Sequence, residues 1–235
     1  MRINLRKKDL EIDLWAPRLR IVKTAQLLFL GLFLIVYAVN LFAEEIDVTK
    51  KIKELKHKDA KVRMQVVDVL GKYKEKKAIP EIIKMLKSEK NDMVKVHIVH
   101  SLGLIGGKDV VYELIEVAKM DKSKDVRVAA CLSLGVLKDK TVVDTLKEIL
   151  LDENEDDNVR VSAGSSLTHY IDEPGVKEAL ENVLRSKNRV VKFGIVNSLR
   201  HIKRKDVGKS LLKIAAEDTD EEIKKLAEEL LKKEQ

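Results

Sequence analysis

Cysteine occurs once, proline three times and glycine ten times in 235 residues, and aromatic side chains make up only 4% of the chain. A single thiol cannot build a disulfide framework, and the shortage of Gly and Pro excludes collagen-like and low-complexity classes. The shortage of turn-forming and ring residues also argues against an all-β fold. What is plentiful is Ala, Leu, Lys and Glu, the residues that lose least on entering a helix. With 45% hydrophobic and 36% charged residues, the chain is composed like a folded protein with a buried core.

A formal charge of +7 raises the question of a nucleic-acid partner. The charge is unevenly placed. Arg2, Arg6, Lys7, Lys8, Arg18, Arg20 and Lys23 outnumber Asp9, Glu11 and Asp13 over residues 1–24, and residues 25–43 carry none. The rest holds 39 basic and 36 acidic residues, too small an excess to mark the whole domain as a polyanion binder. The leading segment is organised as an export signal: basic residues to Lys23, thirteen apolar residues from Leu27 to Val39, then Ala43 ahead of Glu44 and Glu45. Cleavage after Ala43 makes residues 1–43 a signal peptide. Retention makes residues 25–43 a signal anchor in the inner membrane, short of the usual span of about 20 apolar residues. Either way the following residues, 44–235, are expected in the periplasm or another extracytoplasmic space, since positive charge is held inside.

The exported part repeats. Val62-Arg63, Val94-Lys95, Val126-Arg127, Val159-Arg160, Val191-Lys192 and Ile223-Lys224 recur at intervals of 32 or 33 residues. Four residues after each Val or Ile stand Val66, Ile98, Ala130, Ala163, Ile195 and Ala227. Eight residues after stand Leu70, Leu102, Leu134, Leu167, Leu199 and Leu231. Offsets of 0, 4 and 8 lie on one helical face, and offset 11 extends it through Tyr73, Ile105, Leu137, Tyr170 and Ile202 until Glu234 interrupts. A second amphipathic segment lies between successive copies, as in Ile82, Ile83 and Leu86 or Leu146, Ile149 and Leu150. Each unit is thus a helix pair, with Asp109, Thr141 and Asp206 expected as caps and Pro80 and Pro174 near helix starts. The expected fold is all-α: a solenoid of about six helix pairs ending in a cap, where Glu228 and Glu234 replace apolar residues.

The stretches Asp125-Val126-Arg127 and Asp157-Asn158-Val159-Arg160, with Leu70-Gly71, Leu102-Gly103 and Leu134-Gly135, resemble the short HEAT-like repeats of the phycobilisome-lyase type over about residues 46–234. The resemblance implies hydrogen-bonded ladders of Asp and Arg between repeats, which gives Arg63, Arg127 and Arg160 a structural role. It does not imply one activity, since such folds serve scaffolds, adaptors and enzymes. The Gly at offset 9 becomes Thr168, Arg200 and Lys232 in later units, where helix geometry is expected to differ.

Candidate chemistry is sparse. Ser166 with His169 and Ser198 with His201 have the residue types of a nucleophile and its base. Ser101 and Ser133 occupy the same column without the His, which favours a packing role. His97 and His100 stand three apart, but no third ligand in the sequence completes an obvious metal set, and the His-Glu dipeptides of iron-binding HEAT-like hydroxylases are missing. Cys131 shares its column with Val67, Val99 and Val196 and reads as core. No cofactor is expected. The notable polar feature is the basic stretch 185–205, free of acidic residues. Its Arg185, Arg189, Lys192, Arg200, Lys203 and Arg204 are the candidate contacts for a protein partner or an anionic ligand. Nucleic acid is disfavoured, because base stacking needs aromatic platforms and only Tyr73, Tyr112, Tyr170 and Phe193 follow the leader. The expected function is a non-catalytic interaction scaffold of the cell envelope, with membrane contact confined to an uncleaved leader. The alternative is an enzyme or enzyme accessory of the bilin-lyase-like class, or an anion binder acting through the basic stretch.

Overall fold

The structure, a computed structural model, describes residues 47–233. The leader, its apolar run and the cleavage point after Ala43 lie outside the described residues, as does Glu234. Among the described residues there are twelve α-helices and no strand. They form six hairpins: α1 (Val48–Glu54) with α2 (Ala60–Lys72), α3 (Ile79–Ser88) with α4 (Asp92–Ile105), and α5 (Lys108–Met120) with α6 (Lys124–Val136). These continue as α7 (Val143–Leu151) with α8 (Asp157–Leu167), α9 (Val176–Leu184) with α10 (Arg189–Ser198), and α11 (Lys205–Ala216) with α12 (Glu221–Lys233). The even-numbered helices pack each against the next in one layer, and α3, α5, α7, α9 and α11 do the same in a second. The apolar columns at offsets 0, 4 and 8 fill the space between the layers, where Leu70, Leu102, Leu134 and Leu167 are fully enclosed. Among the described residues no helix is long and apolar enough to cross a membrane.

The even helices start where a short polar side chain three residues before the Val or Ile takes the free backbone N–H groups. Asp59, Asn91, Asp156, Asn188 and Asp220 do so, as in Asn91 Oδ1 accepting from Val94 N at 3.2 Å. The caps expected for the odd helices fall elsewhere. Asp109 and Asp206 stand in the first turn of α5 and α11, whose cap residues are Gly107 and Arg204, so they act on the helix end through charge. Thr141 lies within a 3₁₀ turn, Lys140–Val142, that Asp139 caps by accepting from Thr141 N and Oγ1 at 3.0 and 2.6 Å. Pro80 occupies the first turn of α3, where its missing N–H costs nothing.

The Leu-Gly pairs have a steric cause. A Cβ placed on Gly71, Gly103 or Gly135 meets Ser101, Ser133 or Ser166 of the next even helix at 2.6–2.8 Å, so the small residues let the helices close up. Ser133 and Ser166 hold this contact by donating to Val99 O and Cys131 O, the latter at 2.9 Å. Gly135→Ala is expected to destabilise the protein despite a gain of about 1 kcal/mol in helix propensity. Overpacking costs about 1–3 kcal/mol, and here the new methyl also faces Ser166 Cα at 3.1 Å, so backbone must move. A rise in the denaturant midpoint of this variant would contradict the steric account. Where Thr168 and Arg200 replace the Gly, α8 and α10 end early and run into the 3₁₀ turns Thr168–Tyr170 and Leu199–His201. Tyr73 departs from its expected core column. It caps the end of α2 ahead of left-handed Lys74, stays 52% exposed, and its ring lies 5.8 Å from Lys72 Nζ instead of entering the core.

Candidate functional site

Four of the six basic members of the repeat pairs, Arg63, Lys95, Arg127 and Lys192, build a ladder along one edge. Arg63 donates from Nε and Nη2 to both oxygens of Glu89 at 2.8 and 3.0 Å, while its Nη1 donates to His57 O and Lys58 O. Arg127 repeats this with Glu155 at 3.0 and 2.6 Å, and Lys95 and Lys192 reach Asp121 and Asp218 with single bonds of 2.8 and 2.6 Å. Each carboxylate belongs to the turn entering the next even helix, so every rung ties two repeats together. Burial opposes the charge of Glu89, but hydrogen bonds from Arg63 and the N–H groups of Asn91 and Lys90 outweigh it and hold the carboxyl below its ordinary range.

The ladder absorbs part of the basic stretch. Arg189 is bonded to Asp220 and Glu222, Lys192 is buried against Asp218, and Arg204 is clamped by Asp172 and Asp206. Arg200 is exposed and, among the described residues, bonds Asn197 of the preceding helix α10 and no carboxylate. Arg185 and Lys203 are exposed, and among the described residues neither faces a carboxylate within salt-bridge distance. The six candidate contacts therefore do not form one free cationic face; Arg185, Arg200 and Lys203 keep uncompensated charge.

The Ser-His pairs do not meet as nucleophile and base. Ser166 Oγ donates to Cys131 O, and His169 Nδ1 lies 3.3 Å from the Ser166 carbonyl oxygen rather than from the hydroxyl. Ser198 Oγ donates within its own helix to Ile195 O. His97 Nδ1 is 2.9 Å from Asp68 Oδ1 across the α2–α4 step, while His100 is exposed. Cys131 is fully enclosed, and burial pushes its thiol up to about 12. It is expected to resist iodoacetamide in the native protein at pH 8 and to react once unfolded; rapid native labelling would contradict the packing described.

Sequence reading missed a different surface. Two residues after each repeat's Val or Ile stand Met64, Val96, Val128 and Val161, partly buried against the core, and exposed Phe193, before Lys225 ends the series. Phe193, 39% exposed, is joined beside this column by Leu132, 48% exposed, and by exposed Met93, Val136 and Val190. His97, His100, His169 and His201 sit on the same side. Charged residues bound it at both ends: Lys61, Asp68 and Lys72 in the first repeat, Glu222, Lys225 and Glu229 in the last. The sequence signal was an apolar column at offset 2, in register with the core columns but 200° round the helix from the first of them.

A family model described as HEAT repeats matches residues 49–135, 82–167 and 150–232. Among curated proteins, none matches the sequence. Among solved structures, a chain from the complex of CpcE and CpcF of phycocyanin lyase from Nostoc sp. PCC7120 is 18% identical, with a TM-score of 0.54 over 64% of this chain and 96% of that one. An engineered protein is 18% identical, with a TM-score of 0.47 over 80% of this chain and 96% of its own. Human deoxyhypusine hydroxylase in complex with glycerol is 17% identical, with a TM-score of 0.37 over 79% and 83% of the two chains. At 18% identity the likeness to the phycocyanin lyase chain is one of fold. Together the three matches run through all six hairpins, and the chain belongs to the HEAT repeat family.

Proposed function

We propose that the protein is a non-catalytic scaffold or adaptor of the cell envelope that takes a protein partner on the open side of its even-numbered helices. The observation that carries this reading is the run of exposed apolar side chains there, Met93, Leu132, Val136, Val190 and Phe193, bounded by charged first and last repeats. Apolar side chains gathered on one face in this way mark an interaction surface more often than solvated protein. The similar fold of phycocyanin lyase is itself described as a complex of two chains, which is in keeping with a protein partner. Location rests on the leader, whose basic and apolar halves have the order of an export signal.

The test is photocrosslinking in intact cells, with a photoreactive residue at Leu132 or Phe193 and, as a control, at exposed Lys213 of the opposite layer. A common protein adduct at Leu132 and Phe193 that is missing at Lys213 is expected. Adducts at Lys213 alone, or at none of the three, would end the proposal for this face. Intact mass of the protein from separated soluble and membrane fractions tests the location: a soluble envelope species beginning at Glu44 or a full-length membrane species agrees with export, and a full-length cytoplasmic species does not.

A further inference from the structure

The charge ladder has one incomplete rung, at the step from α8 to α10. The carboxylates that receive the ladder cations stand five residues before the next repeat's Val or Ile, as Glu89, Asp121 and Asp218 do, or four before it in the lengthened repeat, as Glu155 does. These side chains do two jobs. Each meets the cation, and Glu89, Asp121 and Asp218 also accept from a turn N–H two residues on, at 3.0, 2.9 and 2.8 Å. At the equivalent position one repeat after Arg160, five residues before Val191, the residue is Ser186. Its hydroxyl keeps the second job, accepting from Asn188 N at 3.3 Å, but brings no negative charge.

Arg160 is consequently unlike the other ladder cations. It is only 4% exposed, more deeply buried than Arg63 or Arg127. Its Nε donates to Leu150 O at 3.0 Å, the end of its own repeat's first helix. Among the described residues no carboxylate pairs with it, and its Nη groups, which have no protein acceptor, keep some solvent access. A mostly desolvated guanidinium without a counter-charge is costly, and an anion reaching it regains much of that cost. The turn beside Ser186 adds Arg185 and Lys187, both exposed and neither paired with a carboxylate among the described residues. The nearby acidic turn does not supply one either: Glu155 is held by Arg127, Asp156 by Lys124 and the start of α8, and Asp157 by Asn188.

We propose that Arg160, with Arg185 and Lys187 beside it, is a docking socket for a carboxylate supplied from outside the chain. The homologous positions are filled by carboxylates, so the missing ligand is of that chemistry, planar and able to take two N–H donors. This deepens the scaffold reading by naming an acidic contact, but it rests on a separate surface and does not require the apolar face to bind anything.

The test titrates the full chain with a fluorescent penta-glutamate peptide carrying a free C-terminus and, in a parallel arm, with succinate, reading anisotropy and thermal midpoint. Ser186→Glu supplies the carboxylate from within. It is expected to raise the midpoint and to weaken peptide binding at least tenfold, whereas Lys203→Gln, which removes the same unit of charge elsewhere, leaves affinity within twofold. Lys187→Ala is expected to weaken binding several-fold with the fold intact. Protection by succinate equal to that by the peptide assigns the socket to a free small carboxylate; protection by the peptide alone assigns it to an acidic segment of a partner protein. The proposal is overturned if neither probe binds, if Ser186→Glu lowers the midpoint, or if Lys203→Gln weakens binding as far as Ser186→Glu does. Photocrosslinking at Leu132 reports on the scaffold reading independently of these outcomes.

Discussion

Leu134→Ala is expected to destabilise the protein by about 2–5 kcal/mol, the range for deleting a fully buried Leu side chain and leaving a partly collapsed cavity. Leu134 has no exposed surface and sits on α6, which packs against α4 on one side and α8 on the other. Its carbonyl also receives the Tyr170 hydroxyl at 2.7 Å, so the surrounding wall is hydrogen-bonded and resists collapse. In a solenoid each repeat is stabilised chiefly by its neighbours, and the total is about 5–15 kcal/mol, so a central defect of this size uncouples the two halves. Urea unfolding should show a lower midpoint and a broadened or split transition. Leu132→Ala, two residues earlier on the same helix but nearly half exposed, should cost less than about 0.5 kcal/mol. Equal losses at the two positions would contradict the layer assignment.

Arg127→Ala is expected to cost about 3 kcal/mol, because it removes a two-pronged ion pair that is mostly shielded from water and strands Glu155 without a counter-charge. The flanking exposures, 17% for Arg127 and 14% for Glu155, separate this rung from surface pairs such as Lys119–Glu148, which contribute at most about 1 kcal/mol. Hydrogen bonding to Glu155, resisted by burial, raises the Arg127 pKa, so the guanidinium stays charged throughout the working pH range. Arg127 also donates to Asp121 O at 2.8 Å, which a lysine cannot match while still gripping both carboxylate oxygens, so Arg127→Lys should recover only part of the loss. A double-mutant cycle with Glu155→Ala isolates the coupling. A coupling below about 0.5 kcal/mol would show that the ladder orients repeats without stabilising them.

The ladder illustrates how far the chain could be read before its structure. The resemblance to HEAT-like repeats implies a structural ladder role for Arg63, Arg127 and Arg160, and the recurrence of a cation every 32 or 33 residues beside the core column agrees with it; Arg63 and Arg127 form such rungs, while Arg160 meets no carboxylate among the described residues. The acceptors of Arg63 and Arg127 are harder to read: Glu89 and Glu155 lie in turns 26 and 28 residues further on, and although an acidic residue recurs there four or five residues before the next Val or Ile, only the stacked repeats show that it meets the cation. The same gap explains the basic stretch 185–205. Seen as a line of residues it is an unbroken run of cations, yet Arg189 and Lys192 find Asp220 and Asp218 one repeat later, and Arg204 finds Asp172 one repeat earlier. Tyr73 fits the helical period but follows the last residue of α2, and a period says nothing about where a helix stops.

The helix pairs, their number and the buried Leu column were all present in the amino-acid order, because side chains 3.6 residues apart share a face whatever surrounds them, and six copies repeat the message. Which charges cancel, which Ser meets which Gly, and which arginine is left with no carboxylate depend on contacts between repeats. Those contacts join residues about 26 to 36 positions apart and exist only once the hairpins have stacked, so it is the stacking that turns Arg160, one of six equivalent cations in the sequence, into the one buried without a counter-charge among the described residues.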